Sequence, residues 1–291
     1  MKKKCVFYGN CQVFYNIYDF LNKNQAFANE YESIRYVNHD RDQFDSLSNI
    51  NLDDIKNCDL FIHQPLDKKH GCFATDNIKQ FLKKECLLIS FPYVYNSALY
   101  SIYFESASTR WSIGSLINCG WLNIFELIIQ DKNIEFILNL YDENKLNFYF
   151  DKRFEICISS LKQKEKNCEI KVSDFILNNY KKYRIFRTQN HLSNFFVEWI
   201  GNEILKILNI TSKINFSNSA IDNVIDQDCV YDMYNKKHYN FLYDTSCITN
   251  NDITKNKIKH GFQFFNTEMK KYSLKDFSFF EIKNEDPEKF K

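Results

Sequence analysis

Apolar runs short enough to be buried β-strands recur in the amino-terminal third of the chain. They are rich in Val, Ile, Leu and Phe, and polar residues, Gly or Pro follow them. The predicted strands are Cys5–Tyr8, Ser33–Val37, Leu60–His63 and Leu87–Ser90.

Helical patterns separate these runs. Apolar residues in Val13–Leu21 recur at helical spacing after the Gly9-Asn10 stop, and Thr75 is the expected cap of a helix that runs to Glu85. Strands that alternate with helices predict an α/β fold with a parallel central sheet flanked by helices. Ligands bind such sheets beyond the carboxyl ends of the strands.

The middle of the chain changes to a mostly helical pattern. Residues 95–182 contain predicted helices at Ile113–Gln130 and, after a Ser173 cap, at Asp174–Tyr180, so we expect a helical insert or lid. Arg184–Arg187 then has the pattern of a short strand, and Ser193 is the expected cap of a helix with an apolar stripe.

The same pattern predicts one main α/β catalytic domain over residues 1–210. Residues 211–291 are less regular and rich in aromatic side chains, so we expect an extension that packs on this domain. With 44% hydrophobic residues, a chain of 291 residues has enough apolar surface for a large core.

Charge and hydropathy argue against two classes of partner. The 38 Lys and Arg residues nearly balance the 37 Asp and Glu residues, and no segment combines basic and aromatic residues as a nucleic-acid groove does. The longest apolar segment, Leu116–Ile129, is shorter than the roughly 20 residues that span a bilayer. The amino-terminal apolar run is too short for a signal peptide, so we expect a cytoplasmic protein without a transmembrane segment. The oligomeric state stays open.

Ten cysteines are scattered through the chain without the paired spacing of a disulfide framework or a zinc site. Among the six histidines, only His70 lies near a cysteine, Cys72, and no second pair completes a site. We therefore expect reduced thiols and no metal.

One cysteine occupies a position suited to nucleophilic chemistry. Cys11 follows the first strand and opens the first helix, where unpaired backbone N–H groups and the positive helix end stabilise an anion. Gly9 permits a tight turn, and the side chains of Asn10 and Gln12 can donate hydrogen bonds to an oxyanion. We expect Cys11 to have the lowest pKa of the ten thiols. Local spacing alone fits a buried structural cysteine equally well.

Further polar blocks fall at the ends of later strands. They are His63-Gln64, Phe91-Pro92-Tyr93 and Thr188-Gln189-Asn190-His191. Gln64 is a candidate oxyanion donor, and His63, Tyr93 and Asn190 are candidate substrate contacts. A loop anchor explains His63-Gln64 equally well, and an ordinary turn explains Asn38-His39-Asp40 better than a site does.

Together with Gly9-Asn10-Cys11-Gln12, these blocks resemble the WcbI family in their residues and their order, over roughly the first 210 residues. The family is assigned as capsular-polysaccharide acetyltransferases that bind coenzyme A (CoA). The resemblance therefore implies acetyl-CoA as co-substrate and a sugar or polysaccharide precursor as acceptor. The arrangement is also similar to that of the SGNH hydrolases, with Cys11 in the place of their serine.

The late-loop position in this resemblance implies that His191 is the general base, acting with Cys11. Without the resemblance, a lone histidine is more often structural. SGNH hydrolases carry an aspartate three residues before their histidine, whereas this chain has Thr188 there. A backbone carbonyl, Asn190 or a distant acid is therefore expected to orient the ring, which favours a dyad over a triad.

The resulting hypothesis is acetyl transfer from acetyl-CoA to a sugar hydroxyl of a capsular or other surface polysaccharide precursor. Cys11 either attacks the thioester or only shapes the site while His191 activates the hydroxyl. Two alternatives are a non-catalytic carbohydrate-binding or scaffold protein of the same pathway and an SGNH-like esterase or thioesterase. The cations available for the CoA diphosphate are Arg35, Arg41, Arg110 and Lys181, for which surface solvation is the commoner role.

Overall fold

A parallel sheet of four strands lies at the centre of the protein. The computed structural model describes residues 2–38, 50–103, 113–211 and 229–269. The predicted α/β class is confirmed, and the third and fourth strands begin and end where their apolar runs do. The strands are β1 (Lys3–Gly9), β2 (Tyr31–Val37), β3 (Leu60–His63) and β4 (Leu87–Ser90), in the spatial order β2-β1-β3-β4.

Helices connect the strands and are the main regular structure in the described residues after β4. Helices α1 (Tyr18–Lys23) and α2 (Gln25–Glu30) follow β1, and helix α3 (Leu52–Lys56) precedes β3. The others are α4 (Thr75–Lys79), α5 (Ile113–Asn118), α6 (Leu122–Ile129), α7 (Ile134–Asp142), α8 (Phe150–Lys164), α9 (Ser173–Asn179), α10 (Asn194–Ile207), α11 (Met233–Tyr239) and α12 (Asn251–Phe264). Within the described ranges, no helix has the length and apolar character needed to cross a membrane.

Two hydrophobic cores cover the two faces of the sheet. Because side chains alternate along a strand, Phe7 and Ile62 face the larger core, whereas Tyr8 and Phe61 face the smaller one. Buried residues of α1 and α10 belong to the larger core, and buried residues of α3 and α4 belong to the smaller.

The strand register brings the loops after β1, β3 and β4 to one edge. Tyr8 pairs with His63, and His63 pairs with Ser90 on the next strand. The loops that begin at Asn10, Gln64 and Phe91 therefore lie side by side beyond the carboxyl ends of these strands.

The first two predicted helices differ from the structure. The segment predicted as one helix over Val13–Leu21 consists of a π-helical turn, Gln12–Ile17, followed by α1. Helix α4 ends at Lys79 rather than Glu85, and Ala74 occupies its cap position. Thr75 does not cap the helix because its hydroxyl accepts a hydrogen bond from the Leu66 N–H at 2.7 Å.

The helix predicted over Ile113–Gln130 is interrupted at Gly120. This residue has φ +79°, and α5 ends before it while α6 begins after it. A Cβ atom at Gly120 would lie 2.0 Å from the carbonyl oxygen of Ser101. The left-handed backbone and the close approach both require glycine, which divides the apolar segment into two helices.

Two further local predictions are corrected. Ser173 is the first residue of α9 and not its cap, because the Glu165 carboxylate accepts hydrogen bonds from the N–H groups of Val172 and Ser173 and from the Ser173 hydroxyl. Arg184–Arg187 forms no strand, since Phe186 makes only an isolated antiparallel bridge to Leu192. The predicted Ser193 cap of α10 is confirmed, because its side chain accepts from the Phe196 N–H.

A buried arginine joins the helical region to the chain that follows β4. Arg153 of α8 has no exposed surface and donates to the carbonyl oxygens of Ser97, Ser101, Asn118 and Phe148 at 2.8–3.3 Å. Side chains of residues 229–269, among them α12, belong to the same larger core. The division of the chain at residue 210 stays a prediction.

Candidate functional site

Cys11 lies directly after β1 and opens the π-helical turn. Its side chain is half-buried, and the Asn10 side-chain oxygen accepts the Gln12 N–H at 2.9 Å. Gly9 is needed here for space and not for a positive φ, because a Cβ atom would lie 2.5 Å from the Val13 Cβ. From the sequence, Gly9 was expected to permit a tight turn. In the structure, the absence of a side chain at Gly9 lets the turn pack against the strand end.

The electrostatics of the Cys11 thiol differ from the prediction. Burial raises the pKa of Cys11, and the N–H groups of Gln12 and of Cys11 itself, together with the charge of Arg187, offset this only in part. The cost of desolvating a thiolate therefore exceeds the stabilisation that the N–H groups at the start of this turn provide. The expectation that Cys11 has the lowest pKa of the ten thiols is therefore wrong.

The side chain of Gln12 clamps three loops together at this edge. Its amide nitrogen donates to the carbonyl oxygens of Val94 and Asn190, both at 2.7 Å. Its amide oxygen accepts from the Gln64 side chain at 2.8 Å and from the Val94 N–H at 3.1 Å. Gln12 is fully buried and all its hydrogen-bonding positions are used, so it holds the site together rather than donating to an oxyanion.

Gln64 belongs to the same buried network. Its amide nitrogen is directed to Gln12 and, at 3.5 Å, to the Pro92 carbonyl, and its oxygen accepts the Asn10 N–H at 3.2 Å. With 1% of its surface exposed, Gln64 has no donor directed to solvent, so the loop-anchor interpretation fits it better than an oxyanion role. The half-buried Asn10 side chain uses its oxygen within the loop, which leaves its amide N–H groups as the side-chain donors suited to an oxyanion.

A hydroxyl group orients the imidazole of His191. The Thr188 Oγ1 lies 2.9 Å from His191 Nδ1 and 3.1 Å from the Asn190 side-chain oxygen. It also accepts the backbone N–H of His191 at 3.2 Å. From the sequence, a backbone carbonyl, Asn190 or a distant acid was expected to orient the ring. In the structure, Thr188 contacts the ring directly, and Asn190 contacts the ring only through Thr188.

This network sets the tautomer of His191. The amide oxygen of Asn190 can only accept, so the single hydroxyl proton of Thr188 is donated to it. This arrangement favours the tautomer in which Nδ1 of His191 donates to Thr188 Oγ1 and Nε2 carries the lone pair. His191 as a whole is an exposed residue.

Arg187 is a site residue that sequence reasoning missed. Its Nε donates to the Leu192 carbonyl at 3.0 Å and its backbone N–H to the His191 carbonyl at 2.8 Å, which closes the loop that carries Thr188. Its charge lies close enough to Cys11 to favour the thiolate. The signal available in the sequence was its position directly before the Thr188-to-His191 block.

The remaining predicted residues have different surroundings. His63 is 1% exposed and stacks on Phe61, on the face of the smaller core, so it does not contact a ligand from solvent. Half-buried Tyr93 lies with its ring centroid 5.4 Å from the Lys164 ammonium. Asn190 contributes its backbone carbonyl to Gln12 and its side chain to Thr188.

The predicted cations for a CoA diphosphate are in part committed elsewhere. Arg35 donates to the Phe14 carbonyl at 2.9 Å and lies 3.7 Å from Asp19. Lys181 is exposed, with its ammonium 5.7 Å from the Tyr180 ring centroid. Arg41, Arg110, His39 and Asp40 lie outside the described residues. No cluster of potential metal ligands occurs in the part of the chain that the structure describes.

Comparisons with known proteins agree on one family. The sequence profile described as "Polysaccharide biosynthesis enzyme WcbI" matches residues 4–213. A solved structure with a TM-score of 0.66 and 18% sequence identity covers 96% of this chain and 93% of its own. It is described as WcbI, a novel polysaccharide biosynthesis enzyme, in the native protein without a disulfide bond between CoA and a cysteine. The search of curated proteins gave no match.

Proposed function

Because this chain belongs to the WcbI family of polysaccharide biosynthesis enzymes, we propose that it transfers an acetyl group from acetyl-CoA to a sugar hydroxyl of a surface polysaccharide precursor in the cytoplasm. The observation that carries the proposal is the network in which the Thr188 hydroxyl contacts both Nδ1 of His191 and the Asn190 side chain, an arrangement that favours Nε2 as the basic nitrogen. Gln12 joins this network to the loop of Cys11.

The solved WcbI structure supports CoA as the co-substrate, since its description names CoA, in a native protein without a disulfide bond between CoA and a cysteine. We assign Cys11 the place beside the CoA sulfur. It is half-buried, lies where open parallel sheets bind ligands, and shares its edge with the basic histidine.

In the proposed reaction, His191 Nε2 accepts the proton of the sugar hydroxyl as its oxygen attacks the thioester carbon. A C–O bond forms, the C–S bond breaks, and His191 returns the proton to the departing CoA thiolate. The side-chain N–H groups of Asn10 are placed to stabilise the oxyanion. Arg187 lies near Cys11 and is placed to stabilise charge on the leaving sulfur.

Direct attack by the hydroxyl is favoured over a covalent acetyl-cysteine intermediate. The raised pKa of Cys11 keeps its thiol protonated near neutral pH, and thiolates are the nucleophilic form. A covalent route would require His191 to deprotonate Cys11 first. We therefore propose that Cys11 contacts the thioester and that His191 supplies the chemistry.

The proposal is tested with His191→Ala. Transfer from radiolabelled acetyl-CoA to a panel of nucleotide-linked sugars and short oligosaccharides should fall by about 10²–10⁴-fold, while calorimetric CoA affinity and thermal stability stay near the wild-type values. A folded variant that binds CoA and transfers at the wild-type rate would refute the role of His191.

Thr188 supplies a matched pair of variants. Thr188→Val removes the hydroxyl at nearly constant shape and should lower kcat and shift its pH profile, whereas Thr188→Ser should restore both. If Val and Ser variants behave alike, the hydroxyl does not orient the imidazole.

The binding and transfer assays on wild-type protein also separate the proposed acetyltransferase from the two alternative functions. CoA binding without acetyl transfer to any acceptor supports the scaffold or carbohydrate-binding function, and acetate release without an acceptor supports a thioesterase. Cys11→Ala should retain measurable transfer, and mass spectrometry of wild type mixed with acetyl-CoA should detect no acetylated Cys11. A stable acetyl-cysteine would establish the covalent route.

A further inference from the structure

Two cysteines meet at the amino-terminal edge of the sheet, opposite the candidate active site. Cys58 lies two residues before β3, and Cys86 directly precedes β4. The Leu87 N–H donates to the Asp59 carbonyl at 2.9 Å, so the chains that enter these two strands run side by side. Both side chains contact the smaller core, which places the two sulfurs on the same face of the sheet.

The two thiols lie close enough to influence each other's ionisation and have unequal surroundings. Cys58 is fully buried, and its sulfur also lies 2.9 Å from the Leu60 carbonyl oxygen. Cys86 is half-buried and so accessible to a small molecule. No disulfide joins any of the ten cysteines, all of which lie in described segments.

The surroundings favour ionisation of Cys86. The interaction with the neighbouring Cys58 thiol and the charge of Lys83 lower the pKa of Cys86, although burial and Asp59 oppose them. The same interaction, together with burial, raises the pKa of Cys58. Lys83 is held in place by Asp59, with Nζ and Oδ1 2.5 Å apart.

We propose that Cys86 and Cys58 form a redox-modification site in which a peroxide converts the neighbouring thiols into a disulfide. The Cys86 thiolate attacks a peroxide oxygen, so that an S–O bond forms, the O–O bond breaks and hydroxide leaves. Cys58 then attacks the Cys86 sulfur, forming the S–S bond. The S–O bond breaks, and water leaves with the Cys58 proton. Two thiols are oxidised by two electrons, and one peroxide is reduced to two waters.

The backbone spacing suits this product. The register pairs Leu60 with Leu87, so Cys86 lies opposite Asp59 and Cys58 precedes Asp59 by one residue on the neighbouring chain. With strands about 4.8 Å apart and a rise of about 3.3 Å per residue, extended chains put the two Cα atoms roughly 6 Å apart, and disulfides join Cα atoms roughly 4.4–6.8 Å apart. The bridge would link the segments that enter two hydrogen-bonded strands, so the strand pairing can stay in place. Because the site is at the opposite edge from Cys11 and His191, its formation leaves the residues of the proposed reaction in position.

The test is peroxide treatment of the reduced full-length chain, followed by alkylation, digestion without reductant and mass spectrometry. We expect a linked Cys58–Cys86 peptide pair that lacks two hydrogens, and a higher Tm for the oxidised protein, since the bridge restricts the unfolded chain. Cys247→Ser, which removes an exposed cysteine elsewhere, should leave the linked pair unchanged.

Single variants identify the order of events. In Cys58→Ser, Cys86 should stop at the sulfenic acid, which dimedone traps, and in Cys86→Ser, Cys58 should stay reduced. The wild-type digest remains decisive if a variant fails to fold. The proposal would be overturned if Cys86 is still alkylated, and so still reduced, in protein in which Cys247 or Cys11 is already oxidised. A bridge from Cys86 to Cys5 would also overturn it.

Discussion

His63 should make the stability of this protein depend on pH in a way that one substitution removes. It is buried at the end of β3, and within the described part of the chain neither ring nitrogen has a hydrogen-bond partner. Burial, and to a smaller extent the positive charge of Lys79, lowers the pKa of His63 to about 4, and the nearby backbone of Phe61, the charge of Glu169 and the backbone of Ile89 offset this only in part. The folded protein therefore holds the ring neutral.

The magnitude follows from the difference between the folded and unfolded states. In the unfolded chain the ring takes up its proton near pH ~6.5, so between that value and pH ~4 the unfolded state binds more protons. The free energy of unfolding then falls by up to about 1.4 kcal/mol per pH unit, or about 3 kcal/mol in total. This stabilisation is present above pH ~6.5 and is lost as the pH falls.

The assay is urea unfolding of wild type, His63→Leu and His63→Gln, followed by tryptophan fluorescence at several values between pH ~4.5 and ~7.5. Both variants lack the titrating ring, so both should show a flatter pH dependence than wild type, even though their stabilities differ. The carboxylates whose folded pKa is lowered, such as Asp54 and Asp59, are common to all three proteins. Parallel pH dependence in wild type and both variants would refute the reasoning.

Three further predictions follow from the site loops. Gln12→Glu keeps the side-chain shape but loses the donors to Val94 and Asn190, so urea unfolding should show a free energy of unfolding lower by roughly 3 kcal/mol. A decrease below about 0.5 kcal/mol would contradict the clamp. Gly9→Ala should cost about 1–3 kcal/mol of unfolding free energy through its clash with Val13, as measured by urea unfolding; an unchanged Tm for Gly9→Ala would argue against the clash. When iodoacetamide labelling rates are measured across pH, the pH midpoint for Cys11 should lie above that of an ordinary cysteine, and the midpoint for Cys86 should lie below it. Labelling of Cys11 first at acidic pH would contradict this prediction.

The sheet could be predicted from the sequence because its signals are local. Leu60–His63 and Leu87–Ser90 are apolar runs with polar residues or Pro nearby, and the structure has strands of the same bounds. The Ser193 cap is also a local signal, since its partner is only three residues away. Thr75 and Ser173 are also residue types that favour a helix cap, but their hydroxyls contact Leu66 and Glu165 instead. Local capping propensity does not predict these contacts.

The candidate site was predictable in its location and less so in its chemistry. Cys11 and the Thr188-to-His191 block share an edge as expected, although the strand predicted before this block does not form and the link is the hydrogen bond from Gln12 to the Asn190 carbonyl. The direction of the Cys11 pKa shift depends on how deeply the thiol is buried, which spacing does not give. Likewise, the commitment of Gln12 and Gln64 to each other is a contact between residues 52 positions apart.

The Gln12 clamp also bears on the order in which the protein folds. All four strands are complete once the chain reaches Ser90, but the carbonyl that Gln12 binds on Asn190 lies 178 residues further along the chain than Gln12 itself. Contacts between such distant residues form slowly, because a long loop must close before they contribute. During synthesis we therefore expect the sheet to form while the site is still open, with His191 the last of its parts to arrive.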